Sequence, residues 1–557
     1  MNRMTRRGLL LGGASVLGFS AAAAQASLLL KGAGSAGSAP ATAFTATFGS
    51  LSRGNAGSGV PTAATAITSG DASGHWQITG GNLCPSAAGD TANLNLGPYA
   101  LTLNNGHTYA LTIEANCWSV ASQAEWDFVI AQVTATLSAK IIRARKLSSG
   151  NYVSGVDGTA ARLRRADFGG LVIKADDLTM KPIFNKFFLR GTRNVTFQGL
   201  ETTKVAETKF QLTGEIANHL FGITIDQCDV SGQVGDPNGD YAVSANYPNR
   251  NIDLITTTGS ANNANGSIAV TNCLVEWSGT GIGLRVDRDA SATLTVTGNK
   301  VRYFYDDAIG LTKTTLTSAA WYDCVTTVAD NVVTECVGRS TDSDAPHCDA
   351  IRFISLNTVL SDWTVYIHRN RIFQGNARGN LHLQGILASD YKNPSGDAGY
   401  FYKGSAIGNI VCTDNSVSID IQNAKDFVAL NNTCVNSNLS TAVNTETLRL
   451  GSGSLYSTTS GTHRVERNIA EAYGLGGSPT LVSNLTLGKM GVTIPYANVF
   501  DGGGAYPNTL AELMAWFNRK VGGNADISGT PDIGAIGATA VTFATSVPGS
   551  DGVNLVS

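Results

Sequence analysis

The chain has few charged residues, no long basic run and, beyond its first residues, no long apolar run. Charged residues make up 15% of its 557 residues, and the formal net charge is −3. The balance of charge disfavours nucleic acid as a partner, because nucleic-acid-binding surfaces are strongly basic. No segment after the N-terminal region is apolar enough to predict a membrane span. Low charge together with 63 glycines favours an extracellular all-β protein over a cytosolic helical enzyme.

The cysteines follow no metal-binding or redox spacing. There are nine, with no CxxC element, so at least one is unpaired within the chain. Cys228, Cys273 and Cys434 each stand at or beside the corner of a repeated unit described below. We interpret them as small apolar residues that stack inside the fold.

The N-terminus carries the features of an export signal. Arg6 and Arg7 precede an apolar segment that ends in Ala24-Gln25-Ala26, a small-x-small cleavage pattern, so residues 1–26 are predicted to be removed. The paired arginines favour the twin-arginine route. The mature protein is expected in the periplasm or outside the cell. Residues 27–43 are interpreted as a linker, and 44–115 as a small β domain because short alternating runs are broken by Gly, Asn and Pro.

The central part of the chain repeats itself. Leu294–Val301, Val325–Val333 and Val365–Ile372 each place an alternating β-branched run before an Asn, at 299, 331 and 370, and a second short strand follows. Copies with no helix between them predict a solenoid of strands. Further units place Asn415, Asn432 and Asn468 at the same corner, where Asn tolerates left-handed backbone and stacked amides can bond from rung to rung.

This repeat with Asn corners resembles the right-handed parallel β-helix of the pectate lyase-like superfamily, over roughly residues 194–468. The expected fold is therefore all-β, a right-handed parallel β-helix over residues 116–500, preceded by the small β domain. Ser122–Leu137 has apolar residues at helical spacing and is expected to cap the first rung. Residues 501–557 are expected to form a C-terminal cap and tail.

Sequence alignment of the second strands places charged residues in columns. Asp307-Ala-Ile309 aligned with Asp349-Ala-Ile351 sets Asp307 beside Asp349 and Gly310 beside Arg352, about one strand spacing apart. The same alignment puts His382 next to Arg352 and Arg449 further along. Arg285 falls one register off this frame.

These residues predict an enzyme that cleaves an anionic, uronate-containing polysaccharide by β-elimination. Arg352 would neutralise the uronate, while His382 or His347 would act as the base and Asp349 would assist. Arg449, Arg371 and Tyr402 are the expected substrate contacts. Calcium is the one cofactor expected, held by Asp306, Asp307 and Asp349.

Two alternatives stay open. Asp306-Asp307 resembles the double-Asp element of polygalacturonases, which implies a glycoside hydrolase, although the other motifs of that family are absent at matching positions. The second alternative is a β-helix protein without enzymatic activity, either glycan-binding or tailspike-like. The expected oligomeric state is a monomer or a trimer.

Overall fold

The computed structural model describes most of the repeated region and parts of the N-terminal segment. The described residues are 42–47, 65–72, 74, 76–79, 82–85, 99–106, 108–114, 117–136, 141–154, 163–164, 166–215, 219–233, 252–258, 266–287, 292–315, 324–336, 348–357, 361–373, 383–390, 400–413, 417–436, 447–450, 463–476, 479–488, 491, 493–494 and 496–500. The predicted export signal at 1–26 and the predicted C-terminal cap and tail at 501–557 lie outside them.

The N-terminal strands form two small sheets. One sheet has the order β1-β6-β5-β2 and the other pairs β3 with β4. Their bounds are β1 Thr42–Thr47, β2 Ile67–Ser69, β3 Trp76–Thr79, β4 Asn82–Pro85, β5 Tyr99–Leu103 and β6 Thr108–Glu114. β1 begins at Thr42, two residues before the predicted β domain of 44–115, and the other five strands lie within that segment.

Three long sheets follow, and every strand in them is parallel to its neighbours. Sheet A has thirteen strands: β7 Cys117–Val120, β8 Ile141–Ala144, β9 Asp167–Ala175, β12 Arg193–Gln198, β15 Phe221–Asp226, β18 Ile268–Thr271, β21 Ala292–Thr297, β24 Cys324–Ala329, β27 Ser361–His368, β30 Tyr400–Ile407, β33 Val428–Leu430, β36 Arg464–Glu466 and β39 Thr480–Val482.

Sheet B has eleven strands: β10 Ile183–Phe184, β13 Glu201–Thr202, β16 Asp229–Ser231, β19 Leu274–Ser278, β22 Lys300–Phe304, β25 Val332–Cys336, β28 Arg371–Phe373, β31 Ile410–Thr413, β34 Thr433–Asn436, β37 Ile469–Ala470 and β40 Leu485–Thr486. Sheet C has ten: β11 Phe187–Arg190, β14 Phe210–Thr213, β17 Ile255–Thr258, β20 Ile282–Asp287, β23 Asp307–Thr315, β26 Cys348–Asn357, β29 Leu383–Asp390, β32 Val417–Ile421, β35 Thr447–Leu450 and β38 Ala472–Leu475.

The chain visits sheets A, B and C in turn, so each circuit adds one rung. Alternate residues of a strand point inward, as the burial of β21 shows for Leu294 and Val296. The inward residues of all three sheets form one continuous apolar core. This arrangement confirms an all-β fold of stacked parallel strands, as a parallel β-helix requires.

One α-helix, α1 (Gln123–Thr136), lies within the described residues between β7 and β8, and a 3-10 turn covers Tyr496–Asn498. Trp126 of α1 is buried against Tyr152 and Phe184, with ring centroids 6.1 and 5.0 Å away. Val129 and Ile130 are buried in the same core. No described helix is both long enough and apolar enough to cross a membrane.

A column of asparagines, buried except for Asn484 at its end, joins the rungs at the corner between sheets A and B. The side-chain amide of each donates to the side-chain carbonyl of the next, at 2.8–3.0 Å. The members are Asn299, Asn331, Asn370, Asn409, Asn432, Asn468 and Asn484. We refer to this column as the asparagine ladder.

Two details of the predicted corner are wrong. The ladder residue of its rung is Asn409, whereas the predicted Asn415 lies outside the described residues. The left-handed backbone belongs to the residue before each ladder Asn, as at Asp330 (φ 59°) and Arg369 (φ 54°). The ladder Asn itself lies immediately before the next strand of sheet B, as Asn331 does before Val332.

Buried cysteines continue this corner upstream. The backbone N–H of Cys273 donates to Asn299 Oδ1 at 2.9 Å, and that of Cys228 approaches Cys273 Sγ at 3.4 Å. Both thiols are free and fully buried, as predicted from their place in the repeat. Cys336 and Cys348 form a disulfide between β25 and β26.

Candidate functional site

The register of sheet C brings together the two aspartates that the sequence aligned. In the pairing of β23 with β26, Asp307 lies opposite Asp349 and Gly310 lies opposite Arg352. Asp306 stands immediately before β23. Three aspartates and one arginine therefore lie together near the start of adjacent sheet C strands. We call this group the acid cluster: Asp306, Asp307, Asp349 and Arg352.

The rest of the predicted column is only partly correct. Arg352 pairs with Leu387, Leu387 with Asp420, and Asp420 with Arg449. Arg449 therefore shares the column of Arg352, three strands away, as predicted. Arg285 pairs with Thr312 and lies outside that column, also as predicted.

His382 does not occupy the place next to Arg352, because Leu387 is there. Leu383 pairs with Cys348, so the strand is displaced by five residues from the predicted alignment. The side chains of His382 and His347 lie outside the described residues. The candidate bases for β-elimination therefore take no part in the described geometry.

Arg371 and Tyr402 are buried, which corrects their assignment as substrate contacts. Arg371 is 1% exposed, and its Nη1 donates to the backbone carbonyls of Asn370 and Gly408. Tyr402 is 0% exposed, and its hydroxyl donates to the carbonyl of Ser389 at 3.0 Å. Both side chains stabilise the interior of the solenoid.

Arg352 connects the two paired aspartates. Its Nη1 lies 3.7 Å from Asp307 Oδ2, and its Nε lies 3.4 Å from Asp349 Oδ2. Asp349 is fully buried, Asp307 is 6% exposed, and Asp306 and Arg352 are partly exposed. Solvent and ligands therefore reach the cluster at Asp306, at the edge of Asp307 and at the guanidinium.

The buried carboxyl groups have unused hydrogen-bonding capacity. Among the described residues, Asp307 Oδ1 and both oxygens of Asp349 find no hydrogen-bond partner. Buried polar atoms are nearly always satisfied in folded proteins. These unpaired oxygens are therefore available to bind a proton.

Burial and mutual repulsion raise the pKa values of all three aspartates. Burial is the largest cause at Asp307, whose pKa is well above its usual range, and the charges of Asp306 and Asp349 add to it while Arg352 opposes it. Burial likewise raises the pKa of Asp349 to about 7, again against Arg352. The pKa of Asp306 is raised by burial and lowered by Arg352. The cluster can therefore hold a proton near neutral pH.

A fourth aspartate belongs to the same site and was not singled out from the sequence. Asp253 precedes β17, two positions before Ile255, in the frame that Asp307 and Asp349 have before Ile309 and Ile351. Burial raises its pKa, and its charge raises those of Asp306 and Asp307. The shared pattern Asp-x-Ile was the available signal.

The predicted calcium site does not fit these residues. Calcium requires several ionised oxygen ligands, but Asp307 and Asp349 have raised pKa values and both face the guanidinium of Arg352. A dication at those oxygens would be repelled by that guanidinium. Over the described part of the chain, no group of three or more His, Cys, Asp or Glu is arranged to hold a metal ion.

Comparison of the chain with protein-family models, with curated proteins and with solved structures gave no match.

Proposed function

We propose that this protein is an enzyme that cleaves a polysaccharide, and that the acid cluster is its active site. The observation that carries the proposal is the pair of buried carboxyl groups on adjacent strands, Asp307 and Asp349, with raised pKa values beside the partly exposed Asp306. General acid–base cleavage of a glycosidic bond uses two carboxyl groups, one protonated and one ionised.

Hydrolysis is the reaction that this group supports best. Asp307 keeps its proton near neutral pH and donates it to the glycosidic oxygen as the bond from that oxygen to the anomeric carbon breaks. Asp306, which is more exposed, accepts a proton from the attacking water, whose oxygen bonds to the anomeric carbon. One water is consumed, and the two carboxyl groups return to their starting states by exchange with solvent.

Asp349 and Arg352 act on Asp307 rather than on the substrate. The negative charge of Asp349 raises the pKa of Asp307, while Arg352 prevents two adjacent carboxyl groups from separating. Because Asp349 is fully buried, it is a positioning residue in this proposal. Arg352 is partly exposed and can also contact the sugar chain.

Cleavage of an anionic polysaccharide by β-elimination is the second candidate. The observation that favours it is the partly exposed guanidinium of Arg352, which can pair with a uronate carboxylate. The partly exposed carboxylate of Asp306, whose pKa is raised by burial, can remove the proton at C5.

The test is an incubation of the purified protein with polygalacturonate, alginate, xylan and chitosan. New reducing ends without ultraviolet absorbance support hydrolysis, whereas absorbance at about 235 nm from an unsaturated uronate supports β-elimination. Asp307→Asn is expected to lower the rate by about 100-fold or more. Asp330→Asn is the matched control, because Asp330 pairs with Arg369 on the exposed surface of another corner. Absence of both products on every polysaccharide would contradict the proposal and favour a binding protein.

The proposal also includes the handedness of the coil, the role of α1, export and the oligomeric state. The Asn corners support right-handed coiling and a relationship to the pectate lyase-like superfamily. Burial of Trp126 against the first rungs supports a capping role for α1. The Arg6-Arg7 signal supports export of a folded protein to the periplasm or beyond. Sedimentation of the mature protein would separate a monomer from a trimer.

A further inference from the structure

A serine and a histidine are hydrogen-bonded on the outer face of sheet A, whereas the acid cluster lies on sheet C. His368 Nε2 lies 2.8 Å from Ser405 Oγ. His368 ends β27, and Ser405 lies in the adjacent strand β30, where it pairs with Tyr366. Tyr366 and His368 alternate with the buried residues of β27, so their side chains point outward, and Ser405 shares that face through its pairing.

A glycine holds β30 against β27 immediately before this serine. Gly404 has a φ of 118°, which residues with a side chain rarely adopt, and a Cβ at this position would overlap the backbone carbonyl of Val365. The close approach of the two strands therefore requires glycine at 404. The main chains of Ser405 and His368 are both fixed within the sheet, so the fold itself holds the two side chains in contact.

The imidazole of His368 is suited to act as a base. Burial lowers its pKa below the usual value, the charge of Arg369 lowers it further, and that of Asp330 opposes them. Arg369 and Asp330 are themselves an ion pair, with Nη2 and Oδ2 2.7 Å apart. The ring is therefore neutral near pH 7, and when Nδ1 carries its proton, Nε2 accepts the hydroxyl proton of Ser405. A base within hydrogen-bonding distance of a serine hydroxyl activates that oxygen as a nucleophile.

Apolar side chains surround the pair on this outer face. Tyr366 is 38% exposed, and its ring centroid lies 5.8 Å from that of His368. Val428 pairs with Ser405 from the other side, and Ile407 pairs with His368; both are half-buried. Contiguous apolar groups on a surface mark a ligand site more often than single exposed residues do. Ser405 keeps 8% of its surface exposed beside them, so a small apolar group can approach its oxygen.

The one charged residue of β30 is Lys403, two residues before Ser405 on the same outward face. A positive charge there favours the negative charge that develops on the carbonyl oxygen of an ester under attack. We infer that Ser405 and His368 are the nucleophile and the base of a second active site, which hydrolyses esters of short acyl groups. The inference is independent of the proposed polysaccharide cleavage, because the two sites lie on different sheets and share no residue.

The reaction consumes one water. Ser405 Oγ bonds to the acyl carbon while its proton moves to His368 Nε2. The bond from the acyl carbon to the alcohol oxygen then breaks, and the alcohol leaves with the proton from Nε2. Water next gives a proton to Nε2 as its oxygen bonds to the acyl carbon, and Ser405 Oγ leaves with that proton, which releases the free acid.

The test is covalent labelling of the full chain with a fluorophosphonate, whose phosphorus bonds to an activated serine oxygen as fluoride leaves. Peptide mass spectrometry locates the label, and release of p-nitrophenolate from p-nitrophenyl acetate measures turnover. Wild type should carry the label at Ser405, and Ser405→Ala and His368→Gln should each slow turnover by about 100-fold or more. His368→Gln should slow the labelling of Ser405 as well. Ser389→Ala is the matched control, because Ser389 is a half-buried serine of sheet C, and it should behave like wild type.

Absence of the label from Ser405 in wild type overturns the inference whether or not the variants fold. Equal turnover by wild type and Ser405→Ala, or equal labelling of wild type and His368→Gln, overturns it as well. Each variant should melt within about 2 °C of wild type, and His368→Asn replaces His368→Gln if the latter unfolds. Polysaccharide cleavage is measured separately, so a protein that is labelled at Ser405 but leaves every polysaccharide intact contradicts only the proposed function.

Discussion

Asn370→Ala tests how much the asparagine ladder contributes to the stability of the solenoid. The Asn370 side chain makes four hydrogen bonds in the buried corner. Its Nδ2 donates to Val328 O at 2.9 Å and to Asn409 Oδ1 at 3.0 Å. Its Oδ1 accepts from the backbone N–H of Asn331 at 3.2 Å and from Asn331 Nδ2 at 2.9 Å.

The expected loss follows from that count. Each hydrogen bond contributes a net of about 1 kcal/mol, and the partners that are left behind are buried, so the substitution should lower the free energy of unfolding by about 4 kcal/mol. Asn484 is the control because it stands at the end of the ladder and is only partly buried. Its three bonds can be replaced by water, so Asn484→Ala should cost about 1 kcal/mol.

The measurement is guanidinium unfolding of the full chain, followed by tryptophan fluorescence and by circular dichroism at the same protein concentration. Solenoids can unfold in parts, so the two signals must be compared before one free energy is derived. Equal and small losses for the two variants would refute the claim that the ladder stabilises the stacked rungs. Equal and large losses would show that position in the ladder does not matter.

Four further predictions concern the site and its surroundings. Asp349→Asn should move the alkaline limb of the pH–activity profile to lower pH, since removing that negative charge lets Asp307 lose its proton more easily. The pKa of Asp349 is raised to about 7, so protonation of Asp349 adds stability that is fully present below about pH 4 and is lost as pH rises through 7, by at most about 1.4 kcal/mol per pH unit. Asp349→Asn cannot ionise and should therefore melt higher than wild type at pH 8. The same difference in melting temperature between variant and wild type at pH 4 and at pH 8 would contradict this. EDTA should leave activity and melting temperature unchanged because Arg352 faces the candidate calcium ligands, and activity restored by added Ca²⁺ would refute that reasoning. Cys336→Ser removes a cross-link with a sequence separation of 12 and should lower the free energy of unfolding by about 3 kcal/mol relative to the oxidised wild type, as measured by guanidinium unfolding. The reduced wild type should match the variant, and equal stability of the variant and the oxidised wild type would contradict the prediction.

The columns of sheet C could be predicted where two strands share a motif. Asp307 and Asp349 each precede Ala-Ile, so the sequence predicts that these aspartates pair. The same alignment correctly predicts that Arg352 lies beside Gly310. In parallel strands that stack in register, one correctly aligned pair fixes every other pair along the strand. Arg449 was placed by a shared pattern instead: Leu448-Arg449-Leu450 of β35 resembles Ile351-Arg352-Phe353 of β26.

The position of His382 could not be derived in this way. Its strand shares no motif with β26, so only the alternation of apolar and polar residues aligns Leu383 with Phe353. Alternation fails at the start of β26, where Cys348, Asp349, Ala350 and Ile351 are all buried. A corner inside the strand shifts the inward positions by one, so the period of two cannot locate the beginning of the strand.

Burial at corners was likewise hidden from the sequence. Arg371 and Tyr402 are residue types that usually face solvent at least in part, and here their polar ends bond to backbone carbonyls of the interior. The choice between Asn409 and Asn415 depended on Gly408, whose φ of 66° supplies the left-handed residue that precedes a ladder Asn. Residue type gave no information on which of these side chains turn inward.

The equivalence of the ladder positions has a consequence for how such a protein changes length over evolutionary time. Asn409 and Asn432 occupy the same environment one circuit apart, 23 residues along the chain. A deletion of 409–431 would join Gly408 to Asn432 with the corner geometry already present at both ends. Genes for such solenoids can therefore gain or lose whole circuits by recombination between corners. The two circuits that carry Asp307 and Asp349 would pass through such an event unchanged.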